Sequence, residues 1–300
     1  MLYIFLFLIL TILILTQSGV SLYYAFYGFS LWYSKMIPSL VPFMILSGMI
    51  IRMNLSNSFS AILHPVLKRI FKCSSNVSYG IIIGFLCGFP MGAKVNADML
   101  KYKKITFEEA RFLLCFNNNI GPVYFCSFVL PLLGIEQPLW YVIGMYGIPL
   151  IYGVILRRIM FRDLTPMEEN LSYNVAANFK QAKEKISLFN AMEESVQNAI
   201  QSILALCGYM ILFNTLNLLP HFFLPQLHKY IAPVMEITGG LSMLGRQAPA
   251  YSLCVLSFGG LSCIAQTNSM IKDTGLSLKE YIFHKLVLSG ITCCYYAILL

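Results

Sequence analysis

The stretch GFLCGFPMGAKVNADML, residues 84–100, begins as an apolar run that is typical of a membrane span and then breaks off. The interruption is made by Gly88, Pro90 and Gly92. Lys94 follows directly, and an ionised side chain at membrane depth is costly unless water, a partner or a ligand compensates it. Backbone that is not helical is tolerated at that depth only where it is buried in protein or lines a polar cavity. The stretch therefore predicts a turn within a membrane protein, close to a functional site.

The composition is that of an integral membrane protein. Of the 300 residues, 58% are hydrophobic and 11% are charged, whereas soluble domains carry about 25% charged residues. Several apolar segments are long enough to cross a bilayer as helices. We therefore predict an all-α, polytopic membrane protein in contact with the lipid bilayer.

The charge and motif patterns argue against several other classes of protein. The net charge is +8, but the basic residues lie in short runs between apolar segments, which is how cytoplasmic loops are marked. We expect no nucleic-acid partner, because the chain has no basic helix and no aromatic RNA motif. The nine cysteines and four histidines show no metal-ligand spacing, so we expect no metal site. Nucleotide-binding loops and catalytic signatures are absent from the sequence, so neither an enzyme nor a cofactor is expected.

The apolar runs divide the chain into four parts. The predicted parts are an uncleaved N-terminal span with an aromatic interfacial segment (1–36), a first repeat (37–160) with a re-entrant hairpin near 79–100, a linker (161–192), and a second repeat (193–300) with a re-entrant hairpin near 240–271. We predict that the N-terminus and the linker are cytoplasmic.

Two stretches align as an internal repeat. When Gly88 is set against Gly260, Asn96 meets Asn268, and two capping boxes that begin at Thr106 and Ser277 come into register. Basic clusters flank the first hairpin on both sides, so both of its ends are predicted to be cytoplasmic. Three membrane crossings then separate the two hairpins, so the second hairpin is predicted to enter the membrane from outside. The last helix would then cross back to the cytoplasmic side. Inverted repeats with broken helices are the architecture of secondary transporters.

Polar residues at and after the two breaks form the candidate site. A lysine can contact an anion, and an amide can bind a carboxylate through N–H or a cation through C=O. The substrate-binding candidates are Lys94, Asn96, Asn117, Asn118, Asn119, Ser262, Gln266, Thr267 and Asn268. The second break is at Gly259 and Gly260, and the candidate coupling acids are Asp98 and Glu236. Three alternatives stay open: Lys94 could pair with Asp98 one turn away, the amides could hold helices together, and Glu236 could lie at the interface.

Five motifs resemble one family. They are LWYSKMIPSLVPFMILSGMI (31–50), GFPMGAK (88–94), CFNNNIGP (115–122), MEITGG (235–240) and GGLSCIAQ (259–266). Together they resemble the YlbJ family of sporulation integral membrane proteins, also called stage V sporulation protein V, which belongs with the nucleoside-recognition or Gate domain proteins. The resemblance covers nearly the whole chain. The family typically has Tyr at the position of Phe89, and part of it has His just before the position of Ala265, where this chain has Cys-Ile.

The resemblance implies a role in spore formation. We expect the protein in the cell membrane or the outer forespore membrane. The resemblance implies the latter, and it implies the movement of dipicolinic acid from the mother cell towards the forespore. Lys94, helix N-termini and amides would suit this small planar dianion.

Two other functions stay open. One is a cation-coupled, nucleoside-like transporter, which needs an acid such as Asp98 or Glu236. The other is a non-transporting scaffold or channel subunit that works as a homo-oligomer or with a sporulation membrane partner.

Overall fold

The computed structural model describes residues 2–167 and 187–300, which form helices and turns without a β-strand. The α-helices are α1 (Leu2–Thr16), α2 (Ser18–Leu31), α3 (Ile37–Arg52), α4 (Ser56–Ser60), α5 (His64–Phe71), α6 (Ser75–Cys87), α7 (Met91–Lys101), α8 (Phe107–Leu114), α9 (Pro122–Tyr124), α10 (Leu130–Leu133), α11 (Leu139–Val142), α12 (Ile148–Ile159), α13 (Leu188–Leu216), α14 (Leu218–Phe223), α15 (His228–Met235), α16 (Ile237–Leu244), α17 (Pro249–Phe258), α18 (Gly260–Ile271) and α19 (Leu278–Leu299). Most of the predicted linker lies outside the described residues, and α13 begins inside the range predicted as linker.

Long apolar helices dominate the fold. The stretches long and apolar enough to cross a membrane are Ser18–Arg52, Leu139–Ile159, Leu188–Phe223, Pro249–Ile271 and Leu278–Leu299. A sixth results if α5 and α6, which meet at 101°, count as one broken span. Many of the large apolar side chains are exposed, as expected for residues that face lipid. The prediction of an all-α polytopic membrane protein is confirmed.

The N-terminal part is more continuous than the sequence predicted. An interfacial segment followed by a separate span was expected, but Ser18–Arg52 is one helical stretch. Pro38 lacks an N–H, and its ring would clash with the carbonyl four residues earlier in a regular helix. The π-helical turn Trp32–Met36 widens the backbone just before this proline and lets the helix continue. Similar π-helical turns precede Pro131 and Pro149.

The first break folds the chain back on itself. α6 ends at Cys87 and α7 begins at Met91, and Gly88 between them has a φ of +83°, which glycine adopts without steric cost. α6 packs against α7. A Cβ on Gly80 would lie 3.4 Å from the Oδ1 of Asn96, and these two residues are equally far from Gly88 along the chain. The two helices therefore form a helical hairpin around Gly88, and the re-entrant course of this hairpin stays a prediction.

The second half differs from the predicted hairpin at 240–271. α17 and α18, on either side of Gly259, together form one candidate span, Pro249–Ile271. The chain instead folds back at Glu236, where α15 packs against α16. The backbone of Gly240 there lies so close to the backbone of α15 that a side chain would have no room. The physical reason is that a break becomes a hairpin only where the flanking helices can touch, and a glycine allows that contact at Glu236.

The start of α19 lies beside the start of α8. Arg111 on α8 donates to both carboxylate oxygens of Glu280 on α19 at 2.8 Å. The sequence prediction placed these two helix starts on opposite sides of the membrane, because a second hairpin would return to the side from which it came. Their contact instead places both helix starts on the same side, and we therefore predict that Pro249–Ile271 crosses the membrane. The inverted arrangement of the repeats stays a prediction.

Candidate substrate site

A cavity of about 290 Å³ lies where the breaks of both halves meet. Its wall includes Phe89 from the first hairpin and Gly121 from the segment that follows α8. Glu236 comes from the second fold-back, and Cys263 and Gln266 come from α18, just after the second break. The lining is mostly apolar. An apolar cavity with a few convergent polar groups is the usual form of a small-molecule site.

Two of the predicted residues, Gln266 and Glu236, reach this cavity. Gln266 is buried, and its Nε2 donates to the hydroxyl of Ser262 at 3.0 Å. Asn268 is exposed, so the structure does not bring it together with the other predicted residues. The polar residues of α18 therefore divide between the cavity wall, the helix interior and the surface.

Lys94 pairs with Asp98. The lysine ammonium lies 3.4 Å from the carboxylate, one turn further along α7, and both side chains are largely buried. Neither residue lines the cavity. The structure therefore shows the alternative in which the two charges neutralise each other.

Asn118 joins three helices. Its Oδ1 accepts from the backbone N–H of Ala93 on α7 at 3.3 Å. Its Nδ2 donates to the hydroxyls of Thr267 on α18 and Tyr281 on α19, both at 3.0 Å. The predicted pair Asn118 and Thr267 is thus brought together, but as the interhelical bonding of the second alternative.

Asn96 and Asn117 keep unsatisfied amide atoms. Asn117 donates to the carbonyl of Gly80 at 2.7 Å, while its Oδ1 has no partner among the described residues. The amide oxygen and the amide nitrogen of Asn96 both lack a partner among the described residues. The side chains of Asn96 and Asn117 are fully buried. Since unpaired buried polar groups are costly, a water molecule or a ligand group here would lower the free energy.

Glu236 ends α15 and caps α16. Its carboxylate accepts from the backbone N–H groups of Thr238 at 3.1 Å and Gly239 at 2.8 Å, and from the amide of Asn214 at 3.3 Å. A carboxylate at a helix N-terminus is stabilised by such N–H groups and by the helix dipole. The acid at the cavity wall is therefore also a structural cap.

The sequence analysis missed a buried lysine on α19. Lys285 is 2% exposed, and its ammonium donates to the Oδ1 of Asn119 at 3.1 Å and to the carbonyl of Ser257 at 3.3 Å. The ammonium lies 5.0 Å from the ring centre of Phe89, within cation–π range. Within residues 2–167 and 187–300 it forms no ion pair.

Lys285 links the breaks to the cavity. Asn119 lies in the break after α8, Ser257 lies just before the second break, and Phe89 lies at the turn of the first hairpin. The Phe89 ring contacts both the cavity and the ammonium. One sequence signal existed, because a lysine inside the apolar run YIFHKLVLSG is a functional candidate by default. Its partners are 166 and 28 positions away along the chain, so no local pattern reveals them.

The fold and the site define an α-helical polytopic membrane protein with a buried lysine next to Phe89, a residue of the cavity wall. No family model and no solved structure matches the chain. The chain is 25% identical to the sporulation integral membrane protein YlbJ of Bacillus subtilis (strain 168), over 98% of this chain and 81% of that protein. This nearly full-length similarity supports membership of the chain in that protein's family, as the sequence motifs predicted. The Gate domain assignment stays a prediction.

Proposed function

We propose that this protein is a sporulation membrane transporter that moves dipicolinic acid from the mother cell across the outer forespore membrane. The Bacillus subtilis relative is named a sporulation integral membrane protein, which supports a role in that process. The observation that carries the transport proposal is Lys285, a buried ammonium that contacts both halves of the molecule.

Lys285 suits an anionic substrate. An ammonium has three donors, and Asn119 and Ser257 accept from it. Burying a charge without a counter-charge is costly, so a bound anion would offset part of that cost. Dipicolinate is a planar dianion. In our proposal its ring occupies the apolar cavity, and one carboxylate reaches the ammonium by displacing the Phe89 ring.

Dipicolinate uptake into proteoliposomes tests this proposal, with the initial rate as the readout. We expect Lys285→Met to lower the rate by about tenfold or more, because losing one member of a buried charge pair weakens binding strongly. The double variant Lys94→Met/Asp98→Asn is the matched control, since it removes a charge pair outside the cavity and leaves neither charge unpaired, and its rate should stay within about threefold of wild type. Normal uptake by a monodisperse Lys285→Met protein would contradict the assignment.

A cation-coupled, nucleoside-like transporter is the second candidate, because the Glu236 carboxylate lines the cavity. Uptake of uridine rather than dipicolinate, driven by a sodium or proton gradient, would favour it. The three hydrogen bonds that hold Glu236 in its capping role favour the dipicolinate proposal instead. If neither substrate moves and one membrane protein co-purifies stably, the scaffold alternative is favoured.

A further inference from the structure

A second cluster of reactive side chains lies between α8 and α19. It consists of Cys115 at the end of α8 and of Glu280 and His284, which are one turn apart on α19. One ligand atom from each of the three side chains lies within 4.8 Å of the other two. None of the three residues lines the cavity. The sequence predicted no metal site because Cys115 is far along the chain from the other two.

His284 has the hydrogen bonding of a metal ligand. Its side chain is 2% exposed, and its Nε2 has no partner among the described residues. The other ring nitrogen, Nδ1, lies 2.6 Å from the hydroxyl of Tyr152. Histidines that bind metals hold their second ring nitrogen in such a bond, which fixes the ring and leaves a lone pair for the ion. The unused Nε2 thus points independently to a ligand.

The charges around the cluster favour a divalent cation. Arg111 lies 2.8 Å from Glu280 and 3.2 Å from Glu108. The guanidinium of Arg111 donates to both carboxylate oxygens of Glu280, and it stays charged because arginine is not deprotonated in proteins. With Cys115 as a thiolate, the group carries two negative charges in excess, which a divalent ion would balance. A carboxylate has about four lone-pair sites, so Glu280 can bind an ion and still hold Arg111.

We propose that Cys115, Glu280 and His284 bind a zinc ion, with water as the fourth ligand. Thiolate, imidazole and carboxylate are the side chains that zinc takes in proteins, at about 2.0–2.3 Å. The three ligand atoms would have to approach one another by about 1 Å, which side-chain rotation can supply. The partly exposed Glu280 side chain gives the ion a path of entry.

The ion would join α8 to α19 next to Lys285. His284 precedes Lys285 in the chain, and Cys115 is four residues before Asn119, which accepts from Lys285 at 3.1 Å. A zinc link would hold the two segments in the register that this hydrogen bond needs. Metal binding is measurable without any substrate, so the proposal stands or falls independently of dipicolinate transport.

Cobalt binding to the purified full chain tests the proposal, because Co²⁺ replaces Zn²⁺ and a thiolate ligand gives a charge-transfer absorption band. We expect one Co²⁺ per chain, displaced by Zn²⁺. The band should be lost in Cys115→Ser, and His284→Gln should weaken binding by about tenfold or more. Cys126→Ser, which removes an exposed cysteine elsewhere, and His221→Gln are matched controls that should bind as wild type does.

A thermal shift provides the second readout. Zn²⁺ should raise the thermal midpoint of the wild type and of Cys126→Ser, because an ion that binds the folded state stabilises it. At the same Zn²⁺ concentration it should raise the midpoint of His284→Gln less, which keeps the test decisive even if Cys115→Ser does not fold. A wild-type protein that is monodisperse and binds no cobalt would overturn the proposal, and so would a band that persists in Cys115→Ser.

Discussion

Two lysines interrupt apolar stretches of this protein, and they are compensated differently. Lys94 has Asp98 one turn away, which the sequence reveals because positions i and i+4 are neighbours on a helix. Lys285 has its partners, Asn119 and Ser257, in other segments of the chain. The sequence could therefore predict the neutral pair as an alternative but not the buried cation, whose environment depends on tertiary contacts.

The cap at Glu236 gives a prediction about the candidate coupling acid. Glu236→Gln keeps an oxygen that can accept from the N–H groups of Thr238 and Gly239, whereas Glu236→Ala leaves these donors unpaired. We expect Glu236→Ala to lower the free energy of unfolding by about 2 kcal/mol and Glu236→Gln by about 1 kcal/mol or less. Thermal midpoints in detergent measure this difference.

The same two variants separate the structural role of Glu236 from a role in transport. Glu236→Gln should take up dipicolinate at a rate within about threefold of wild type, because the cap survives. Lost uptake in a Glu236→Gln protein with an unchanged thermal midpoint would mean that the carboxylate itself is needed. That result would favour the cation-coupled alternative.

The elements show that a sequence locates helix breaks more easily than it predicts their geometry. Gly88 and Gly259 both mark breaks with positive φ angles. At the first, α6 and α7 pack together as a hairpin, while at the second, α17 and α18 remain one span. The fold-back at Glu236 carries the motif MEITGG but no proline at the turn, so breaker residues alone did not predict it. Which break reverses the chain depends on close helix contacts that no local pattern encodes.

The first helix break depends on close packing of Gly88 against Gly121, which a substitution by alanine can test. A Cβ at Gly88 would overlap the backbone nitrogen of Gly121, and an L-residue is strained at its φ of +83°. Gly275 is the matched control, because its φ is +78° but a Cβ there would meet only Phe107, at 3.6 Å. In both alanine variants the positive φ lowers the free energy of unfolding by about 1 kcal/mol. Gly88→Ala lowers it further, because its Cβ overlaps the backbone of Gly121.

We therefore expect Gly88→Ala to lower the thermal midpoint clearly more than Gly275→Ala and to abolish dipicolinate uptake. Size-exclusion profiles after heating give the midpoints, and proteoliposomes give the uptake. Equal midpoints for the two variants would mean that the packing of Gly88 on Gly121 is not needed for stability.

At the scale of the whole molecule, composition and span length were enough to predict the class of protein, while the pairing of its halves needed tertiary contacts. The sequence alignment set Gly88 against Gly260. In the structure, Gly88 packs on Gly121 within the first half, and Gly260 packs near Pro233 within the second. Each half thus brings a folded-back helix pair against a broken segment. An internal repeat defined by these contacts would match the α6–α7 hairpin of the first half with the fold-back of α15 and α16 in the second half.

The direction of α19 follows from contacts on one side of the molecule. The backbone N–H of Met167 donates to Glu109 at the start of α8, at 3.3 Å, so the start of the linker lies beside the start of α8. Arg111 and Glu280 bring the start of α19 to the same place. Because α19 is long and apolar enough to cross, we expect its end at Leu299 on the opposite side. A hairpin at 240–271 would instead return the end of α19 to the side of the linker.

Reporter fusions in vegetative cells distinguish these two arrangements. We expect alkaline phosphatase, which is active only outside the cytoplasm, to be active when fused after Leu300, and green fluorescent protein to be dark there. The fluorescent protein inserted after Met167 is the internal control, and it should be bright because the linker is predicted to be cytoplasmic. Fluorescence from both positions would contradict the crossing of Pro249–Ile271. Phosphatase activity at both positions would contradict the crossing as well, because it would place the start of the linker and the end of α19 on the same side of the membrane.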